Sequence, residues 1–121
     1  AIATEVLPAK KRREVYRRLR EELKAGGRAY VVFPVIEEGI EEMGERVREY
    51  LSDVPSAVLH GRMPAPERER AMAAFAAGEV RVLVATTVIE VGVDVPEATW
   101  MVIESAERFA AFIAGVKGRQ R

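Results

Sequence analysis

The sequence predicts one α/β domain, a three-layer αβα sandwich around a mainly parallel sheet. Short apolar, β-branched segments alternate with longer amphipathic segments along the whole chain. This alternation is typical of parallel strands joined by helical crossovers that cover both faces of the sheet. The length of 121 residues, with 49% apolar and 31% charged residues, suits a single domain over 1–121 with a buried core.

The first strand is predicted at residues 2–7, and Pro8 ends it. A helix follows at 9–25, where an apolar stripe recurs at helical spacing, and Gly26-Gly27 is a typical helix end. The stripe consists of Val15, Tyr16, Leu19 and Leu23. The next segment, 29–36, is apolar at both odd and even positions, as expected of a strand covered on both faces. Pro34 indicates that its ladder breaks near that end.

The remaining elements follow the same logic, in which apolar runs predict strands and apolar stripes predict helices. They are a helix through Ile40, Met43, Val47 and Leu51, a strand at 56–60, a turn at 61–64, a helix at 65–77 that buries Met72 and Phe75, strands at 80–85 and 99–103, and a helix at 107–116.

Charge is balanced overall but segregated along the chain. The 19 basic and 19 acidic residues cancel, yet residues 9–28 hold nine basic and three acidic residues. Residues 37–53, in contrast, hold seven acidic and two basic residues. A zero net charge therefore does not exclude a nucleic-acid partner. The alternative is that these segments are amphipathic helices whose charges are only solvated.

The composition argues against several classes of function. With no cysteine and one histidine, the chain suits neither a disulfide scaffold nor a zinc or multi-histidine centre, and no metal site is predicted. No run of 18 apolar residues could span a membrane, and no basic-then-apolar leader opens the sequence, so we expect a cytoplasmic location. The motifs G-x-x-x-x-G-K-[ST] and G-x-G-x-x-G are missing, so nucleotide chemistry would need groups from outside this chain.

Small polar residues and glycines follow the later predicted strands. The carboxyl ends of strands are where open parallel sheets bind their ligands. These residues are His60, Gly61 and Arg62 after one strand, Thr86, Thr87, Glu90, Gly92 and Asp94 after the next, and Glu104 and Ser105 after the last. Each has a structural alternative: an internally hydrogen-bonded histidine, a glycine turn, threonine helix caps, and a turn at Asp94-Val-Pro96.

Three stretches together resemble superfamily 2 helicases, and most closely the RecG branch of DNA branch-migration helicases. They are Val58-Leu-His-Gly-Arg-Met63, Val84-Ala-Thr-Thr-Val-Ile-Glu-Val-Gly-Val-Asp-Val-Pro96 and Ile103-Glu-Ser-Ala-Glu-Arg-Phe109. Residues 27–38 are similar to the motif IV region of that family, so the resemblance covers about residues 2–109. Transcription-repair coupling translocases are near relatives with a similar pattern.

The resemblance implies the second RecA-like lobe of a two-lobe motor, an ATP-dependent DNA helicase that acts on branched DNA in recombination and repair. ATP with Mg²⁺ would lie between this lobe and an N-terminal lobe of the same parent chain, which would carry the P-loop and the magnesium ligands. On this lobe the resemblance assigns Gly92 and Asp94 to the nucleotide. It assigns His60, Gly61, Arg62, Thr86, Thr87 and Glu90 to the DNA backbone.

The segment 110–121 departs from the family pattern. RecG-like chains carry a motif VI of the form Q-x-x-G-R-x-G-R, of which only Lys117-Gly118-Arg119 is similar here. Arg119 or Arg121 is the candidate arginine finger that would stabilise γ-phosphate charge. The departure leaves open a non-catalytic helicase-like binding or scaffold module, or the equivalent lobe of a transcription-repair coupling translocase. We expect the chain alone to be inactive.

Overall fold

A five-stranded parallel sheet with helices on both faces forms the part of the chain that the computed structural model describes, residues 4–6, 9–34, 38–86 and 99–119. This confirms the predicted α/β sandwich. In chain order the elements are β1 (Thr4–Val6), α1 (Ala9–Lys24), β2 (Arg28–Val32), α2 (Ile40–Tyr50), β3 (Ser56–Leu59), α3 (Ala65–Ala77), β4 (Val82–Ala85), β5 (Thr99–Ile103) and α4 (Ala106–Arg119).

The strand order is β1-β5-β2-β4-β3, and every pairing among these strands is parallel. The chain crosses the sheet in one direction from β1 through β2 to β3, and then returns through β4 to β5. With right-handed crossovers, this reversal puts α1 and α2 on one face and α3 on the other. Open α/β sheets bind their ligands at the carboxyl ends of strands near such a reversal.

The core has one part on each face of the sheet. On the first face, α1, α2 and α4 cover buried strand residues such as Val31 and Val84. On the second face, α3 packs Phe75 against Tyr30, with ring centroids 4.7 Å apart. Tyr30 and Val31 are both fully buried, which explains why β2 is apolar at odd and even positions alike.

The buried stripe of α1 differs from the predicted one. It runs through Arg12, Tyr16, Leu19 and Leu23, all at most 2% exposed, whereas Val15 is only half-buried. The spacing of four, three and four residues is that of one helix face. An arginine therefore occupies a position that the sequence pattern assigned to the solvent.

Two arginines at the amino ends of strands cap helices that end nearby. Arg81 Nη1 donates to the carbonyl of Leu23 in α1 at 2.9 Å, and Arg28 Nη1 donates to the carbonyl of Ala76 in α3 at 3.0 Å. The last carbonyls of a helix lack partners within the helix and carry partial negative charge, so a cation stabilises them. Gly78 ends α3 at φ +83°, a conformation that other residues rarely adopt.

Several element bounds differ from the prediction. β2 ends at Val32 rather than 36, and Pro34 lies exposed in a turn just beyond it. Proline has no N–H to donate to a neighbouring strand, so the ladder does not continue through it. β4 begins at Val82 rather than 80, because the Val80 amide donates to the carbonyl of Ala74 in α3 at 3.2 Å and not to a neighbouring strand. α4 is longer than 107–116, and in α3 Phe75 is buried whereas Met72 is only half-buried.

Candidate functional site

The candidate site lies at the carboxyl edge of the sheet, where four strands end level with one another. Leu59 of β3 and Val32 of β2 both pair with Ala85 of β4, and Val32 also pairs with Ile103 of β5. The residues that follow are therefore brought to one edge: Phe33, His60, Thr86 and Glu104. Of the sequence-predicted site residues, His60 and Thr86 follow neighbouring strands, although 26 positions separate them in the chain.

His60 uses both ring nitrogens inside the protein. Its Nδ1 accepts the backbone N–H of Arg62 at 3.2 Å, and its Nε2 lies 3.3 Å from Glu41 Oε1 at the start of α2. The backbone N–H of Met63 also donates to the His60 carbonyl at 3.3 Å, which closes the turn. The side chain is 16% exposed. The histidine thus connects the turn after β3 to α2.

The turn presents Gly61 and Arg62 to solvent at the start of α3. Both residues are exposed, and Pro64, the N-cap of α3, makes no side-chain cap. The Glu67 and Arg68 amides donate to the Pro64 carbonyl at 3.0 and 3.2 Å. The helix start carries partial positive charge, which together with the neighbouring arginine favours an anion, whereas the Glu67 carboxylate in the first turn opposes one.

A buried ion pair occupies the same edge at the end of β5, which β2 separates from β4. Glu104, 3% exposed, accepts hydrogen bonds from Arg12 Nε at 2.9 Å and from the Tyr16 hydroxyl at 2.9 Å. Its other oxygen accepts from Arg12 Nη2 and from the Ser105 backbone N–H. The hydrogen bonds to Glu104 raise the pKa of the Arg12 guanidinium. Burial, together with the Glu104 carboxylate, raises the pKa of Tyr16 well above its usual range.

The ion pair fixes where α4 begins. Glu104 receives the Ser105 amide, and Ser105 in turn caps α4, because the Arg108 amide donates to its hydroxyl at 3.2 Å. Phe109, one turn into α4, is fully buried against Tyr16 and Phe33. The charged cluster of Arg12, Tyr16 and Glu104 therefore joins α1 to the β5–α4 junction.

Raised tyrosine pKa values predict a loss of stability in alkali. Burial raises the pKa of Tyr30 to about 12, and that of Tyr16 is also raised, against about 10 for an exposed tyrosine. Above about pH 10 the unfolded chain therefore binds fewer protons than the folded chain, and stability falls as pH rises. Each tyrosine adds a slope of up to about 1.4 kcal/mol per pH unit.

Urea denaturation between about pH 9 and 12 measures this slope. Tyr30→Phe should flatten the slope of stability against pH from about pH 10 to 12, because the substitution removes one of the two tyrosine ionisations with a raised pKa. An unchanged slope in Tyr30→Phe would contradict the assignment.

Several predicted site residues lie outside the described residues. These are Thr87, Glu90, Gly92, Asp94 and Arg121, and the side chain of Arg119, whose backbone ends α4. Their assignments to DNA, to the nucleotide and to the γ-phosphate remain predictions.

Sequence reasoning missed two partners at this edge, Arg12 and Glu41. The sequence did contain an indication for Arg12, because it lies four residues before Tyr16 and so on the same face of α1 as the buried stripe. Glu41 had none, because it is one of several exposed acidic residues on α2 and only the fold selects it as the neighbour of His60. Glu104 was noted at a strand end, but its burial and its pairing were not predicted.

The described residues offer neither a membrane-spanning helix nor a metal site. Within the described ranges, no helix is long and apolar enough to cross a membrane. Over the same part of the chain, no group of three or more histidine, cysteine or acidic side chains is placed to hold a metal ion.

Comparisons with known proteins agree on one family. The family model described as "Helicase conserved C-terminal domain" matches residues 10–119. The ATP-dependent DNA helicase RecG of Synechocystis is 42% identical over 116 residues, which cover 89% of this chain and 14% of that protein. RecG of Thermotoga maritima is 40% identical and covers 98% of this chain and 16% of that protein. The chain thus spans about one seventh of the length of these relatives.

Solved structures support the fold. A structure of the C-terminal domain of the DEAD-box protein Dbp5 has a TM-score of 0.53 at 12% identity, covering 96% of this chain and 82% of that one. A Saccharomyces cerevisiae Dbp5 C-terminal domain bound to Gle1 and IP6 has a TM-score of 0.51 at 11% identity, with the same coverage of each chain. At such low identity the likeness concerns the RecA-like fold alone. Taken with the sequence match, it shows that the chain belongs to the helicase C-terminal domain family, as a RecA-like lobe of the RecG kind.

Proposed function

We propose that this chain is the second motor lobe of a larger ATP-dependent DNA helicase, which acts in the cytoplasm on branched DNA in recombination and repair. The observation that supports the proposal best is the carboxyl edge, where the exposed Gly61–Arg62 turn and Thr86 follow paired strands in a chain of the RecG-like family. In this proposal the N-terminal lobe of the same parent chain supplies the P-loop.

The groups at this edge suit a contact to DNA that does not read sequence. An arginine and a threonine hydroxyl both bind phosphate, the partial positive charge of a helix start favours it, and phosphate contacts position a strand without specifying bases. Thr87 and Glu90 would extend the same contact beyond Thr86. A motor must hold every sequence that it passes over, so this is the kind of contact that it needs.

The nucleotide would lie between this lobe and the first one. Gly92 and Asp94 would face ATP, and Arg119 or Arg121 would approach the γ-phosphate. ATP with its Mg²⁺ would supply the phosphoryl-transfer chemistry, in which catalysis consists of positioning and charge stabilisation.

The second candidate, a helicase-like binding module without catalysis, is favoured by one observation: residues 110–121 lack the family pattern of motif VI.

Two substitutions in a full-length RecG-like protein that carries this lobe should separate the two roles. Thr86→Ala should weaken DNA binding by about fivefold to tenfold, because a phosphate contact is lost, while ATP affinity changes little. Asp94→Ala should weaken ATP binding and ATP-coupled unwinding more than DNA binding. Nucleotide affinity and salt-dependent DNA affinity measure the two effects, and equal losses in both assays for both variants would contradict the division of roles.

The isolated 121-residue chain is expected to show no ATP hydrolysis above background, because charge stabilisation of the γ-phosphate requires both lobes. A phosphate-release assay with saturating DNA measures this directly. The positive control adds the first lobe as a separate chain. If ATP hydrolysis then appears, the motor lobe is favoured over the non-catalytic binding module. Turnover by the isolated chain would rule out the two-lobe assignment.

A further inference from the structure

We infer that His60 is a positioning residue that shapes the Gly61–Arg62 turn through its Nδ1, rather than a group that itself contacts DNA. The inference rests on the proposed function for its DNA consequence, but its structural part can be tested without DNA.

The hydrogen-bonding roles of the two ring nitrogens follow from their partners. Nδ1 faces the backbone N–H of Arg62, which can only donate, so Nδ1 must be the acceptor and the ring hydrogen lies on Nε2. Nε2 faces Glu41 Oε1, which accepts. Each nitrogen thus has a partner of the right kind, and both partners belong to the protein.

This arrangement leaves His60 little to offer a phosphate. The hydrogen on Nε2 points at a carboxylate, and a phosphate there would meet the negative charge of Glu41. The side chain is 16% exposed, whereas Gly61 and Arg62 are exposed. Gly61 and Arg62, whose turn His60 stabilises, are therefore better placed to contact a DNA backbone than His60 itself.

The imidazole adds a constraint that the backbone turn lacks. The Met63 amide closes the turn on the His60 carbonyl at 3.3 Å, and Nδ1 holds the Arg62 amide from inside. Glu41 ties the ring to α2, which lies on the opposite face of the sheet from α3. Without the ring, the turn could rotate relative to the start of α3 and to Thr86 on the neighbouring strand.

Two isosteric substitutions distinguish the roles of the two nitrogens. In His60→Asn, the side-chain oxygen can accept the N–H two residues later, as asparagine does in turns, so the Nδ1 function is kept. In His60→Gln, the longer amide reaches toward the Nε2 position and Glu41, and the acceptor for Arg62 is lost. His60→Ala removes both functions.

The structural test uses NMR on the 121-residue chain. Nitrogen-15 shifts of the ring should show the hydrogen on Nε2. Hydrogen exchange of the Arg62 amide should accelerate about tenfold in His60→Gln and His60→Ala but not in His60→Asn, because one hydrogen bond is lost. Unchanged exchange at Leu59 in β3 reports that each variant is folded. A hydrogen on Nδ1, or equal exchange in the Asn and Gln variants, would overturn the inference.

The functional test measures binding of the same chain to a fluorescein-labelled 20-nucleotide single strand in low salt. His60→Asn should stay within about threefold of the unsubstituted chain, whereas His60→Gln and His60→Ala should lose about fivefold to tenfold. Equal losses in all three variants, with the Arg62 amide still protected, would mean that His60 contacts DNA itself. If exchange follows the expected order but no variant, Arg62→Ala included, changes DNA affinity, the positioning role stands and the proposed DNA edge fails.

Discussion

Replacing Glu104 by glutamine is expected to lower the free energy of unfolding by about 3–5 kcal/mol. The substitution keeps the shape of the side chain but removes its charge, so the Arg12 guanidinium, 2% exposed, is left buried without a counterion. Arg12 and Tyr16 both donate to this carboxylate, and an amide accepts such bonds less well. Urea denaturation of the 121-residue chain at about pH 7 measures the loss.

An apolar replacement of the whole cluster is the matched control. Arg12→Met, Tyr16→Phe and Glu104→Leu together remove every buried polar group of the cluster, and such replacements of buried ion pairs are often neutral or stabilising. We expect the triple variant to recover most of the stability that Glu104→Gln loses. A single substitution that costs less than about 1 kcal/mol, or a triple variant no more stable than the single one, would show that the pair is not the dominant interaction at this junction.

Gly44→Ala is expected to destabilise the chain by about 1–3 kcal/mol, although alanine is the better helix former. Gly44 is buried in α2, and a Cβ built there would overlap Cγ2 of Val58 on β3. Valine is branched at Cβ and has few rotamers, so it cannot move aside easily. The helix or the strand must shift instead.

Three further variants isolate the cause. Gly115→Ala in α4 should be neutral or stabilising by up to about 1 kcal/mol, because a Cβ at Gly115 meets no atom within 4 Å. Val58→Ala should rescue part of the Gly44→Ala loss, so the double variant should be more stable than the two single losses predict. Thermal or urea unfolding of the four variants and the unsubstituted chain measures both effects, and strict additivity would contradict steric overlap as the cause.

The elements of this fold could be predicted from local sequence because each carries its own pattern. The helix at 65–77 matches α3 residue for residue, since Pro64 and Gly78 bound it and its helix formers fill it. β5 was likewise predicted at its observed bounds, 99–103. Errors arose where hydrogen bonds from outside the segment set its limits, as at β4, where the Val80 amide is taken by the carbonyl of Ala74 in α3.

The candidate site could be predicted only in part. Local pattern and the rule for parallel sheets placed His60 and Thr86 at a carboxyl edge, and their adjacency followed once β3 was paired with β4. Their hydrogen-bond partners could not be predicted in this way. His60 meets Glu41 from 19 positions away, and no periodicity links a turn residue to one of several acidic residues on another helix.

The sequence by itself therefore determined the α/β class, most elements, the family and the edge at which polar residues gather. These follow from the spacing of apolar residues, from the glycines and prolines that end elements, and from sequence motifs, all of which lie within short stretches of chain. Only the tertiary structure decided that Arg12 is buried, that its partner is Glu104 at a separation of 92 positions, and that both ring nitrogens of His60 face protein groups. The physical reason is that a charge or a ring nitrogen takes its role from what surrounds it, and those surroundings come from distant parts of the chain.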